Sequence, residues 1–309
     1  MKTISPSDLQ PQEFYRYMIG TIGPRPIAFA STVDAAGQVN LSPFSFFTIA
    51  GYSPPTLVFV PSINRLGHKK HTLLNLEEVG EVVINVVTYS MVEQMSLASA
   101  EFERGVNEFE KSGFTAVPSS RVRPPRVAES PASFECVVKQ IIPTGKQPHG
   151  PETHVNGTLS DQPGAGYIVI CEVITAHFQD SIFDQNEAID PHQIDLIGRM
   201  GADWYCRAKG DALFEVARPS VGIGLDQIPP PIRTSAILSG NDLGKLGGFP
   251  ALPTADETAA FRATGVVNDL FDEARYGCQY LPDLLHHRAK QLLAENKVQE
   301  AWLTLLQTE

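Results

Sequence analysis

Four basic and hydroxyl residues in one short stretch could together bind an anion. They are Ser62, Arg65, Lys70 and Thr72, and an apolar segment with helical spacing follows them. Thr72 is a favourable N-cap residue, and the N–H groups in the first turn of a helix attract anions, more so beside positive side chains. The stretch therefore predicts a site for one monophosphate. A basic run that is only a solvated edge of the helix remains the alternative.

Polar side chains also alternate with aromatic ones in two predicted strands that a short turn at 34–37 connects. A planar heterocycle needs this mixture, since its faces require apolar cover and its edges require hydrogen-bond partners. Pro43 is expected to interrupt the strand pairing and to free backbone groups for a ligand. An ordinary edge strand would show the same composition, and that alternative stays open. The residues concerned are Ser31, Thr32, Asn40, Ser42, Ser45 and Phe46.

Other chemistries lack their sequence signatures. The four cysteines form no CxxC pair, and no GxSxG or GxxxxGK[ST] motif occurs. His286 and His287 are consecutive in a predicted helix and diverge by about 100°, so they cannot chelate one metal and are expected on the solvated surface. His149 and His154 share one loop rich in proline and glycine. We therefore expect no metal site, no hydrolase and no glycine-rich dinucleotide loop.

The elements that must position these residues are mostly strands. β-Branched and aromatic runs predict strands at 26–33, 39–50, 56–60, 82–88, 134–142 and 167–178. Helical spacing predicts helices at 72–79, ending at Gly80, and at 91–100. Short strands with few outer helices are typical of a closed or half-closed antiparallel barrel. The fold class expected is mainly β.

The amino-acid composition of the chain changes near residue 210. Residues 211–253 are rich in glycine and proline and predict a loop-rich connector, after a barrel domain at 1–210. Apolar residues recur with helical spacing in 254–309, which predicts a C-terminal helical extension. We expect the barrel or a partner chain to cover the apolar stripes of these helices.

Charge and hydropathy limit the partners. The chain of 309 residues has 24 Lys+Arg against 35 Asp+Glu, a net charge of -11 that would repel a nucleic acid on average. No apolar run is long enough to span a bilayer, and the N-terminus lacks the apolar core of a signal peptide. We expect a cytoplasmic protein with reduced thiols, without membrane or nucleic-acid partners.

Several motifs occur in an order that resembles the flavin reductase-like family, which includes flavoredoxin and the reductase components of two-component monooxygenases. They are Pro24-Arg-Pro-Ile-Ala-Phe-Ala-Ser-Thr32, Asn40-Leu-Ser-Pro-Phe-Ser-Phe-Phe47, Pro54-Pro55, Lys70-His-Thr72, Val82-Val-Ile-Asn85, Glu108-Phe109 and Gly198-Arg-Met-Gly201 to Tyr205. The resemblance covers about residues 10 to 208. It implies a homodimeric split β-barrel that binds FMN, with peripheral helices.

The resemblance also implies roles for individual residues. Arg65, Lys70 and Thr72 would bind the phosphate of FMN, with Ser62 beside them. The ribityl chain and ring edges would contact Ser31, Thr32, Asn40, Ser42, Ser45 and Phe46, and Arg25, between two prolines, would help to orient the cofactor. The family usually has Lys-Asp-Thr where this chain has Lys70-His71-Thr72.

The activity that the resemblance implies is reduction of bound FMN by NADH or NADPH, with oxygen, another flavin or a monooxygenase as electron acceptor. The flavin supplies the hydride chemistry, so no protein side chain is assigned as a general base. The alternative is a non-enzymatic FMN protein that carries electrons between partners, as flavoredoxin-like proteins do.

Overall fold

The chain forms two compact units, Met1–Phe214 and Glu215–Glu309. The computed structural model describes residues 1–64, 66–144, 163–219, 221–277 and 279–307. Arg65, His149, His154 and Cys278 lie outside the described residues.

A seven-stranded antiparallel sheet dominates the first unit, as expected for a mainly β fold. Its strands are β1 (Ala28–Val33), β2 (Val39–Phe44), β3 (Phe47–Tyr52), β4 (Pro55–Phe59), β5 (Glu81–Asn85), β8 (Ala132–Pro143) and β9 (Tyr167–Phe178), in the spatial order β2-β1-β5-β8-β9-β4-β3. Two small hairpins pair β6 (Ala116–Val117) with β7 (Arg126–Val127), and β10 (Ile197–Arg199) with β11 (Tyr205–Arg207).

The strand order requires the sheet to curl. Strands β2 and β3 lie at opposite edges, yet only Ser45 and Phe46 separate them in the sequence. Two intervening residues span at most about 11 Å, whereas seven strands laid flat would extend about 29 Å from edge to edge. The two edges must therefore approach each other where β2 ends and β3 begins.

The curled sheet is open, so the closed-barrel alternative is wrong. Strands β2 and β3 share no ladder within the described residues. The strand predicted at 39–50 is in fact these two strands, because the chain crosses from one edge to the other at Ser45 and Phe46. The carbonyl of Phe46 accepts a hydrogen bond of 2.9 Å from the N–H of Val60, which fixes the crossing beside the end of β4.

Helices of the first unit flank the sheet. They are α1 (Pro11–Thr21), α2 (His71–Val79), α3 (Val92–Leu97), α4 (Glu108–Ser112) and α5 (Pro191–Ile194), with short 3-10 turns at Pro6–Asp8, Tyr89–Met91, Asp180–Ile182 and Gly210–Ala212. Helix α2 ends as predicted at Gly80, whose φ of 71° is left-handed, a conformation that glycine adopts without steric cost.

The sheet separates two apolar clusters. Side chains alternate between the faces of a strand, so Ala28 and Ala30 join one cluster with Phe44 and Leu76, while Phe29 joins the other. The first cluster includes α2 and we call its side the α2 face. The second includes Leu41, Met95 of α3 and Phe109 of α4, and we call its side the α3 face. The candidate residues of β1 and β2 are divided between these faces.

The second unit is helical. Its helices are α6 (Pro230–Arg233), α7 (Gly240–Gly247), α8 (Ala255–Ala263), α9 (Asn268–Tyr276), α10 (Leu281–Ala294) and α11 (Val298–Leu305). The first two lie in the stretch predicted as a loop-rich connector. Their apolar residues join the cluster of α10 and α11 around Trp302, which is fully buried and donates its indole N–H to the carbonyl of Leu246 at 3.2 Å. The apolar stripes of the extension thus cover one another, and α8, α9 and α10 share a second cluster.

One histidine of the second unit does not lie where the sequence predicted. His286 is buried and its Nδ1 lies 2.8 Å from Oγ of Ser235, so its expected surface position is wrong, whereas His287 is exposed. Burial lowers the pKa of His286. Its neighbours on the chain include the buried Leu284 and Leu285, which shows that the buried stripe of α10 is wide enough to include it.

Candidate functional site

The beginning of α2 carries the predicted anion-binding residues. Lys70 is the N-cap residue and Thr72 the second residue of the helix, so the prediction that Thr72 caps the helix is wrong. The helix begins at His71, one residue before the predicted range 72–79, and Lys70 in front of it is extended, with a φ of -62° and a ψ of 146°. Within the described part of the chain no side chain caps this helix, which leaves first-turn N–H groups available to an anion.

Thr72 instead connects α2 to the sheet. Asn40 of β2 donates its Nδ2–H to Oγ1 of Thr72 at 2.9 Å, and Asn75 donates to Oγ1 of Thr32 in β1 at 3.1 Å. All four residues are buried. Neutral hydrogen bonds contribute about 0.5–1.5 kcal/mol each, and a buried polar group left alone costs more. The two bonds therefore fix the tip of α2 against the beginning of β2.

Acidic side chains surround the cations at the tip of α2. Lys69 pairs with Glu77 at 2.7 Å, whereas Lys70 lies 3.4 Å from the exposed Glu101. Arg104 pairs with Glu78 at 2.8 Å. Ion pairs at the surface are weak, about 0.2–1 kcal/mol. Lys70 is therefore held in place by a partner that a phosphate could displace.

His71 lies in this cationic environment. Burial lowers its pKa, and the positive charges of Arg104 and Lys70 lower it further. The imidazole is therefore neutral near pH 7. A phosphate bound at the tip of α2 would reverse the electrostatic part of this effect and favour the imidazolium.

Strand β2 is an edge strand, and Pro43 does not interrupt its pairing with β1. The register continues through the pair Phe29 and Pro43. The N–H of Leu41 points away from β1 and donates to Oε2 of Glu108 at 3.0 Å. Backbone N–H groups two residues apart along a strand point the same way, so the backbone nitrogen of Pro43 also faces the outer edge. No neighbouring strand pairs there, and the missing N–H of proline therefore removes no hydrogen bond of the sheet. Burial raises the pKa of Glu108, although its hydrogen bonds oppose this shift.

The candidate residues of β1 and β2 lie on opposite faces of the sheet. Thr32, Asn40 and Ser42 belong to the α2 face, because Thr32 is paired with Asn40 and Ala30 with Ser42. Ser31 is paired with Leu41 on the α3 face. Its Oγ is completely buried and has no hydrogen-bond partner among the described residues. A ligand that contacts both groups must therefore reach them from the outer edge of β2.

A cleft of about 650 Å³ lies on the α3 face at the other end of β2. Pro43 and Ser45 line it on one side, and side chains of α3 and of the β10–β11 hairpin line it on the others. Pockets of about 300–1,000 Å³ are typical of small-molecule sites. Asn40, beside the tip of α2, and Ser45, in the cleft, are five residues apart, or about 16 Å in an extended strand. The edge of β2 therefore connects the two regions.

Arg25 is used to connect backbone segments. Its guanidinium donates to the carbonyls of Ile19 at 2.9 Å, Met200 at 2.8 Å and Ile22. Its backbone exchanges two hydrogen bonds with Arg199, of 2.9 and 2.8 Å. Burial lowers the pKa of Arg25. The residue fixes the end of α1 and the segment after β10 relative to each other.

The remaining candidates lie at the rims of these regions. Phe46 is exposed at the crossing between β2 and β3, with the ring of Tyr15 at 6.5 Å. Ser62 is half-buried and forms an isolated bridge with Gly166. No cluster of metal-ligating side chains occurs among the residues that the structure describes. Over the same residues, no helix is long and apolar enough to cross a membrane.

Sequence reasoning missed several residues of this region. Asn75 follows Thr72 by three positions, so the two share a helix face, and this polar pair beside Leu73 and Leu76 was an available signal. Glu108 was noted only as part of a motif. Arg199 and Tyr205 were likewise noted only as part of a motif, and their place in the cleft was not predicted, because the hairpin that brings them to β2 is distant in sequence.

Comparison with known proteins gives a family match. The model of the flavin reductase like domain matches residues 21–189. An uncharacterized protein of Halalkalibacterium halodurans is 32% identical over 218 residues, which are 71% of this chain and 97% of the relative. One from Aquifex aeolicus is 30% identical over 202 residues, 65% of this chain and 93% of the relative. Nearly whole relatives thus match while about a third of this chain stays unmatched.

Solved structures agree with this match. Nitrilotriacetate monooxygenase component B from Bacillus cereus is similar with a TM-score of 0.61 and 26% identity, over 70% of this chain and 98% of that chain. The 2-nitrobenzoate 2-nitroreductase of Pseudomonas fluorescens is similar with a TM-score of 0.57 and 26% identity, over 70% and 96%. With the family model covering more than half of its residues, the chain belongs to the flavin reductase-like family.

Proposed function

We propose that this protein is an FMN-dependent oxidoreductase, an NAD(P)H:flavin reductase. The observation that carries the proposal is the bonding of Asn40 to Thr72, which places the uncapped tip of α2 and Lys70 at one end of the edge strand whose other end lines the cleft. Membership of the flavin reductase-like family indicates a flavin as the ligand, and this arrangement offers that ligand an anion site and an adjoining cleft in one protein.

The residues present fit a flavin mononucleotide. The uncapped first turn of α2 and the weakly paired Lys70 suit a phosphate, with Thr72 and Ser62 as hydroxyl partners. Arg65, outside the described residues, would add a second cation. The orphaned Oγ of Ser31 retains its full hydrogen-bonding capacity. Ser31, Thr32, Asn40, Ser42, Ser45 and Phe46 would contact the ribityl chain and ring edges, and Arg25 would act indirectly by fixing the segment after β10.

The flavin, when bound, supplies the hydride and electron chemistry. The protein binds and orients it: the tip of α2 neutralises the phosphate, and the apolar side chains of the α3 face limit access of water to the cleft. We assign no side chain as a general base. The electron donor is NADH or NADPH, and the acceptor is oxygen, another flavin or a partner such as a monooxygenase.

We also propose a homodimer. Strand β3 is an edge strand whose Ile49 and Tyr52 are 73% and 94% exposed. An unpaired edge with large apolar side chains is a surface that proteins normally cover. A second copy would do so, and Ile49→Lys should then yield monomers in sedimentation analysis. We expect the protein in the cytoplasm, where its free cysteines Cys136, Cys171 and Cys206 would stay reduced.

The test of the proposed function uses the purified full chain. The protein is incubated with FMN, freed of excess flavin, and mixed anaerobically with NADH or with NADPH while the absorbance of oxidised flavin is followed. Bleaching by at least one nucleotide is expected. A bound flavin that neither nucleotide bleaches would reject the reductase and leave the electron carrier, whereas a chain that retains no FMN would reject both.

A further inference from the structure

The cleft on the α3 face carries two arginine–tyrosine stacks. The guanidinium of Arg207 lies 3.8 Å from the ring centre of Tyr89, and that of Arg199 lies 4.5 Å from the ring centre of Tyr205. Three of these residues come from the β10–β11 hairpin, whereas Tyr89 comes from the turn before α3. All four line the cleft. Stacked guanidinium groups and aromatic rings are surfaces on which flat molecules bind.

The two arginines differ in how much of their hydrogen-bonding capacity is left for a ligand. Arg207 donates from Nε and Nη2 to the two carboxylate oxygens of Asp195, each at 2.7 Å, so its charge is compensated. Arg199 has only the fully exposed Asp203 at 3.6 Å, too long for a hydrogen bond, and its side chain donates to no other described residue. Arg199 is therefore the cation of the cleft that can bind an anion in two-point geometry.

The backbone of Arg199 is held in place by hydrogen bonds to a neighbouring segment. Its backbone is bonded twice to that of Arg25, whose guanidinium is itself anchored to Ile19 and Met200. The side chain is only about a quarter exposed. Apolar walls from Ile27, Val92 and Ile197 complete the cleft, while its acidic residues, Glu93 and Asp203, are exposed to solvent.

We propose that this cleft binds a planar aromatic ring that carries an anionic group, with Arg199 as the residue that binds the anion. The inference deepens the proposed function, on which it rests for the identification of this ligand as a substrate of the flavin reaction. Two substrates share the chemistry: an aromatic carboxylate as electron acceptor, and a nicotinamide nucleotide, with its phosphate, as electron donor.

The experiment measures binding by calorimetry to the FMN-loaded protein, with two pairs of probes. Benzoate is compared with the neutral benzamide, and nicotinamide mononucleotide with nicotinamide riboside, which lacks the phosphate. In one pair or the other the probe with the anionic group should bind about tenfold more tightly or better. Arg199→Gln should abolish that preference, and Arg199→Lys should retain part of it, since a lysine keeps the charge and loses the fork. The pair that shows the effect identifies the class of ligand.

Arg121→Gln is the matched control. It removes the same charge from an exposed residue of the same unit that does not line the cleft. It should leave the preference intact. Near-ultraviolet circular dichroism checks folding, and if Arg199→Gln misfolds, the Arg199→Lys variant decides.

Three results would overturn the proposal: no preference in either pair, a preference that survives the substitution of Arg199, or an equal loss in the Arg121 control. The proposed function fails separately. The absence of a preference in both pairs, with normal FMN binding, rejects only the cleft, whereas Arg199-dependent binding of the anionic probe by a chain that never binds FMN rejects the flavin reductase and leaves the cleft.

Discussion

The contact between Lys70 and Glu101 predicts two substitutions with opposite effects on FMN affinity. Lys70→Met removes a charge-assisted contact to phosphate, worth about 1.5–3 kcal/mol. The side chain of Lys70 is 32% exposed and must first leave Glu101. We therefore expect the lower end of that range, an increase in Kd of about tenfold.

Glu101→Gln should act in the other direction. The exposed pair at 3.4 Å stabilises the free protein by about 0.2–1 kcal/mol, and this stabilisation is lost when phosphate displaces the carboxylate. Removing the carboxylate should lower the Kd for FMN by about 1.5- to fivefold. The gain should shrink at high ionic strength, because salt screens exposed charges.

Fluorescence titration of FMN into the two single variants and the double variant separates these effects. Glu101→Gln acts by releasing Lys70, so it should change the Kd much less in the Lys70→Met background. Lys69→Met serves as the control, since Lys69 is engaged with Glu77 at 2.7 Å and should matter less. Equal gains from Glu101→Gln in both backgrounds, or an unaltered Kd in Lys70→Met, would show that the phosphate binds elsewhere.

Three further predictions concern protonation and packing. Binding of FMN should tighten as the pH falls from 8 toward 6.5 more in the wild type than in His71→Asn, because the lowered pKa of His71 rises when phosphate binds, and titrations at several pH values check this. Glu108→Gln should raise the melting temperature near pH 8, with a difference that vanishes below pH 4.5; since burial raises the carboxyl pKa, the wild type loses stability as pH rises, and a flat difference would contradict this. Trp302→Ala should destabilise the second unit by about 3–5 kcal/mol, seen as an earlier unfolding transition in calorimetry, with Trp204→Ala, an exposed tryptophan, as control.

The sequence predicted those features that depend on local chemistry. The strand at 167–178 and the end of α2 at Gly80 follow from β-branched runs and a glycine stop, and both agree with the structure. The sequence predicted one strand at 39–50 where the structure has two, β2 and β3, because no local feature of the sequence shows that the chain crosses between sheet edges at Ser45. Long-range pairing decides such a crossing.

The candidate site was predictable to a similar extent. Residue types assigned Lys70 and Thr72 to an anion site and Asn40 to a separate pair of strands, and only the family resemblance joined these groups. The structure brings the three residues together at the tip of α2. Alternation along β1 could have shown that Ser31 and Thr32 face opposite ways. The cleft could not be predicted from the sequence, since its arginines and the edge of β2 are about 155 residues apart and only the tertiary fold brings them together.

The strand order also bears on synthesis of the chain at the ribosome. Strand β4 lies between β3 and β9, and its partner in β9 is more than a hundred residues further along, as in the pair Thr56 and Glu172. Because the ribosome adds about 5–20 residues per second, one edge of β4 has no partner strand for several seconds or longer during synthesis. Contacts so remote in sequence slow folding. Nascent chains stalled before residue 167 should therefore recruit chaperones that bind exposed strand edges, and those stalled well beyond residue 178 should not.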